Sequence, residues 1–252
     1  MNKTFPILTA SLMTFQLHAA PITFTGSSGS LAASVTFSTS GTNLLVTLTN
    51  TSTADVMVPA DVLTGVFFTI AGNPTLTPVS AKLSSGSTVF FGPTGGGNVG
   101  GEWGYVNGLS GAPGGADEGI SSSGLGGLFG SANFNGADLQ GPPSGALDGL
   151  QYGILSAGDN TATGNAPVTG GYALIKNSVD FELSGLAVGY DPAQLISNVS
   201  FQYGTALNEP NVPGDGDGFR LQQTELVPEP GSLALLGLGL VTFGATRRKR
   251  RG

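Results

Sequence analysis

Acid–base chemistry in this sequence falls to its carboxylates. There is no cysteine, and the single histidine, His18, stands near the start. Beyond it the chain lacks thiol and imidazole nucleophiles, zinc sites of the usual ligand types and any disulfide scaffold. What remains is a carboxylate pair flanking a bond, as in glycoside hydrolysis. Asp117 and Glu118 are adjacent, and Asp180 and Glu182 are two apart, which on a strand puts both on one face. With 16 acidic residues some pair falls close by chance, so a solvated strand face is the simpler account. No catalytic residue is assigned, and the chain is expected not to be an enzyme.

Three other groupings carry possible binding chemistry. Gly214-Asp215-Gly216-Asp217-Gly218 offers two carboxylates, Asp215 and Asp217, for a hard cation, but an EF-hand-type loop needs a third oxygen ligand where Phe219 stands. The segment therefore reads as a turn, with no metal or other cofactor implied. Trp103 and Tyr105, flanked by Gly101 and Gly104, either plug the open end of a β-sandwich or offer a stacking platform to a sugar ring. Gly95, Gly97 and Gly100 fit G-x-G-x-x-G without the strand-to-helix context that gives that pattern its meaning.

The elements that would position these residues are strands. Leu31 to Phe37, a turn at Ser40 to Asn43, and Leu44 to Thr49 form the opening pattern, followed by Gly65 to Ile70 and Thr88 to Phe91. Tyr172 to Lys176, Val179 to Leu183 and Val199 to Tyr203 come later, the last two alternating apolar with polar residues like a sheet with one wet face. No long segment has helical periodicity before the C-terminal region. These features predict an all-β fold, an antiparallel β-sandwich of jelly-roll or immunoglobulin-like type. Between Gly92 and Gly149 lie 20 of the 42 glycines, which predicts long loops over a sheet edge.

The two ends differ from the body. Met1-Asn2-Lys3, a moderately apolar run from Phe5 to Leu17 and small residues at Ala19 and Ala20 outline a secretory signal peptide over 1–19. At the other end, Pro228-Glu229-Pro230 precedes an uncharged run, Gly231 to Thr246, and then Arg247-Arg248-Lys249-Arg250-Arg251. As a helix the uncharged run spans about 24 Å, slightly short of a bilayer core of roughly 30 Å. Long basic side chains reaching along the boundary recover part of the difference, and their resistance to translocation keeps the cluster cytoplasmic. A C-terminal transmembrane helix is predicted, with the body outside the cytoplasm.

Removing both ends changes the charge balance. From Ala20 to Pro230 the basic residues are Lys82, Lys176 and Arg220 against all 16 acidic ones, three against sixteen, or −13, where the whole chain carries −7. Such a body repels nucleic acid, whose binding depends on Lys and Arg neutralising phosphates, and it repels anionic lipid.

Pro-Glu-Pro, a Leu- and Gly-rich apolar run and a terminal Arg cluster resemble the PEP-CTERM sorting signal of proteins handled by an exosortase. The resemblance implies that Pro228, Glu229 and Pro230 are the recognition element near which a membrane-embedded transpeptidase-like enzyme cuts. It makes 231–246 a transient membrane anchor and Arg247, Arg248, Lys249, Arg250 and Arg251 its cytoplasmic stop, within a sorting signal over 227–252. The body, 20–226, is similar to small exosortase-dependent surface proteins in LLVTLTNTSTADVMVPADVLTGVFF from Leu44, GGEWGY from Gly100, GDNTATGNAPVTGGYALIKNSVDFELSGL from Gly158 and FQYGTALNEP from Phe201. That likeness implies a structural or adhesive protein of the cell surface or extracellular matrix, in contact with exopolysaccharide. The alternative is a lectin-like carbohydrate-binding module using Trp103 and Tyr105.

Overall fold

The computed structural model describes residues 19–140 and 145–216. The strands, in chain order, are β1 (Ile22–Ser28), β2 (Leu31–Ser40), β3 (Asn43–Asn50), β4 (Leu63–Ile70), β5 (Thr77–Leu83), β6 (Thr88–Phe90) and β7 (Gly104–Asn107). They continue with β8 (Glu118–Ser121), β9 (Ile154–Leu155), β10 (Leu174–Lys176), β11 (Ser178–Ser184), β12 (Ile196–Tyr203), β13 (Asn211–Pro213) and β14 (Asp215–Gly216). Among the described residues no helix is long and apolar enough to cross a membrane. The predicted membrane helix, 231–246, and the signal peptide up to residue 18 lie outside the described residues.

The first sheet runs β14-β1-β2-β3-β11-β5, with every neighbouring pair antiparallel. Alternation sorts its residues into two faces. Ile22, Phe37, Val46, Phe181 and Ala81 stand in register across five strands and are all buried. One step along each strand, Thr23, Thr36, Thr47, Asp180 and Lys82 form the neighbouring row on the opposite, outer face. There the Thr23 and Thr36 hydroxyls lie 2.8 Å apart and Thr47 Oγ1 donates to Asp180 Oδ1 at 2.7 Å. Short polar side chains paired across strands keep this wide face hydrated and ordered.

The second sheet runs β13-β12-β4-β9-β10-β6, with β8 also paired to β4 and β7 to β8. It is mixed, because β9 and β10 are parallel where the sequence predicts antiparallel pairing throughout. The cause is topological: the excursion over 156–173 is long enough to return the chain in the same direction, which a hairpin cannot do. The two sheets meet over one continuous core, where the Phe37 ring packs edge-on to Phe68 at 5.1 Å.

Strand β4 explains the glycine-rich region. Leu63 to Phe68 are buried on both faces, the mark of a strand covered on each side. Phe67 turns away from the shared core and packs with Ala112, Ala116, Leu125, Phe129 and Leu147. Within the glycine-rich region, Ala112 to Phe129 and Leu147 cover the outer face of the second sheet and β7 and β8 extend it, while Asn98 and Asn135 bridge to Lys82 and Ser80 along the edge strand β5, where the sequence predicts loops over an edge. Glycine permits this because the backbones approach too closely for a side chain: a Cβ on Gly101 would stand 2.1 Å from the Ala137 carbonyl oxygen.

Candidate functional site

Trp103 leads into β7 and is fully buried, its ring edge-on to Phe181 at 4.9 Å. Tyr105, on β7, is 4% exposed, and its hydroxyl donates to Glu118 Oε2. Both aromatics belong to the core between the sheets. Neither ring has a face open to a sugar in this structure, and large rings beside the inter-sheet core gain by leaving water.

The carboxylate pairs separate in the same way. Glu118 is 2% exposed on β8, and burial pushes its acid up to about 7; the Tyr105 hydrogen bond opposes this and nearby Asp117 adds to it. Burial, reinforced by the Glu118 carboxyl, drives the Tyr105 phenol well above its ordinary range. This buried acid accepts the Tyr105 hydroxyl's hydrogen bond. Asp180 and Glu182 share the outer face of the first sheet, as their spacing predicts; Glu182 Oε1 accepts from Asn43 Nδ2 at 2.5 Å. Asp215 lies opposite Thr25 and lines an open polar cleft of about 530 Å³ with Ser27, Thr51 and Pro213, while Asp217 lies outside the described residues. Gly95 and Gly97 belong to a 3-10 turn and Gly100 opens another, so the glycine pattern has no strand-to-helix setting here.

One junction escapes sequence reasoning. The loop 51–62, between β3 and β4, meets the loop 156–165, which follows β9. Asp55 accepts from Asn160 N at 2.9 Å and from the Thr163 hydroxyl, and Asp159 Oδ1 accepts from Val56 N at 3.0 Å. Ser156 Oγ donates to the Ala54 carbonyl at 2.5 Å, and Lys176 Nζ donates to the Asp159 backbone carbonyl at 3.2 Å. The carboxyl groups of Asp55 and Asp159 are immediate neighbours; Thr163, then Asn160, holds Asp55 below the usual carboxylate range, whereas burial raises Asp159. No motif spacing links two aspartates so far apart in the chain. The available signal is compositional, two runs dense in Asp, Asn, Ser and Thr between apolar strands, NTSTAD and GDNTATGN.

The sorting segment predicted from the sequence lies outside the described residues. Residues 226–251 match the PEP-CTERM protein-sorting motif. The chain carries a PEP-CTERM sorting motif. The PEP-CTERM match spans Pro228 to Pro230 and Arg247 to Arg251, and it implies export, a membrane-associated C-terminal signal and recognition by an exosortase. No curated protein and no solved structure matches the chain.

Proposed function

We propose that this is a non-enzymatic structural or adhesive protein of the cell surface or extracellular matrix, delivered by its PEP-CTERM segment. The match over 226–251 is the observation that carries the proposal. In this reading 231–246 forms a transient transmembrane helix, Arg247 to Arg251 hold it on the cytoplasmic side, and an exosortase cuts near Pro228 to Pro230. The body is a sandwich of jelly-roll or immunoglobulin-like kind. That class is supported by the repeated passage of the chain between sheets, from β3 to β4, β4 to β5, β10 to β11 and β11 to β12. The hydroxyl-lined outer face of the first sheet suits contact with hydrated exopolysaccharide, and the acidic body suits release from an anionic membrane.

Intact-mass measurement of the surface-exposed protein, from producing cells with and without their exosortase, tests the processing. The expected mature form ends near Pro228 to Pro230 and reverts to the longer, membrane-bound form without the enzyme. A surface form that keeps Arg247 to Arg251 in the presence of the exosortase refutes it.

A further inference from the structure

We propose that the junction of the 51–62 and 156–165 loops is a calcium site with Asp55 and Asp159 as its carboxylate ligands. Asp159 is more than nine-tenths buried, and among the described residues its Oδ2 has no hydrogen-bond partner. It stands beside the Asp55 carboxyl, itself oriented by Asn160 N and the Thr163 hydroxyl. Two carboxylates in contact, one of them shielded from water, repel each other unless a proton or a cation stands between them. Lys176 offsets only part of this charge: its ammonium favours the ionised form of Asp159 while donating to the Asp159 backbone carbonyl and lying 5.9 Å from the centre of the Phe90 ring. One ammonium against two carboxylates leaves the junction negative.

The donor set is oxygen only, which selects a hard cation, and calcium tolerates the irregular mixture of carboxylate, hydroxyl, amide oxygen and water that such loops supply. No group of three or more Asp, Glu, His or Cys surrounds a point among the described residues, so uncharged oxygens must complete the shell. Thr163 and the exposed side chain of Asn160 are the nearest candidates. Gly158 holds the second loop against the first, since a Cβ there would meet the Thr53 carbonyl oxygen at 2.1 Å. A bound ion would add a further tie between two loops already joined by hydrogen bonds and by the packing of Val56 with Leu155 and Val168.

The test is calcium binding by the full chain in mild detergent near neutral pH, followed by equilibrium dialysis against calcium chloride and by thermal unfolding. One calcium per chain is expected, in the range of about 0.1 to 1 mM typical of extracellular modules. About 10 mM calcium should raise Tm by roughly 3–10 °C over chelator. Asp159→Asn and Asp55→Asn should each weaken binding at least about tenfold and remove most of that rise, while Asp215→Asn leaves both unchanged. The site is refuted if the wild-type chain neither binds calcium nor responds to it, which leaves a proton shared by the two carboxyls. It is equally refuted if both variants retain the full response, or if sodium chloride of equal ionic strength reproduces the shift.

Discussion

Glu118 is an acid held where water barely reaches, 2% exposed and bonded to the Tyr105 hydroxyl. Its folded-state pKa, about 7, stands above the ordinary value of 4.5 expected once the chain unfolds. Between those values the folded chain keeps a proton that the unfolded chain releases. Stability therefore falls as pH rises through this window, by roughly 1–3 kcal/mol from this group. Glu118→Gln, which keeps an acceptor for Tyr105 and cannot ionise, should remove that part of the pH dependence. Urea denaturation at about pH 5 and about pH 7.5 checks it: the wild type should lose roughly 1–3 kcal/mol more than the variant across the interval. Equal losses would assign the titration to another group. The adjacency of Asp117 and Glu118 is plain in the sequence, but the burial that makes one of them a proton-holder comes from β7 and β8 pairing under the loops.

At the scale of elements, legibility follows alternation. Leu31 to Phe37, Leu44 to Thr49 and Val179 to Leu183 alternate cleanly, and each lies within an observed strand of the first sheet, whose outer face is polar. Strands β7, β8 and β9 escape prediction because they are short; β8 and β9 are buried throughout and β7 over its first two residues, so too few alternating positions remain to write a period into them. The glycine-rich segment hides its role for a related reason: its information lies in absent side chains. Gly101→Ala should destabilise the protein by roughly 1–3 kcal/mol, since the Ala137 carbonyl oxygen stands 2.1 Å from the new Cβ and the three nearest atoms are all backbone. Guanidinium unfolding of the variant checks this, and a change below about 0.5 kcal/mol would show that the loop layer yields freely. Alanine at Gly130, where a Cβ meets nothing within 4 Å, serves as the comparison.

For the whole molecule, the inward rows of the first sheet, the doubly covered β4 and the satellite packing beneath the loops form a continuous framework before Gly218. A chain of residues 19–218 should consequently fold without the PEP-CTERM segment and unfold in one cooperative transition. Circular dichroism and calorimetry would report it, and a broad transition with weak near-ultraviolet signal would show that the C-terminal segment is needed for folding. The sequence by itself determined the sorting segment, the charge contrast between body and tail, the absence of thiol and imidazole chemistry beyond His18, and the alternating strands. Each of these is written in local order: a run of apolar residues, a cluster of arginines or a period of two keeps its meaning wherever the chain goes. The tertiary structure alone decided that Trp103 and Tyr105 face inward, that the glycine-rich segment forms a covering layer, that β9 and β10 run parallel, and that Asp55 meets Asp159. Those outcomes depend on which distant segments share a face, a matter settled by competition for burial among all the strands rather than by the spacing of any residues along the chain.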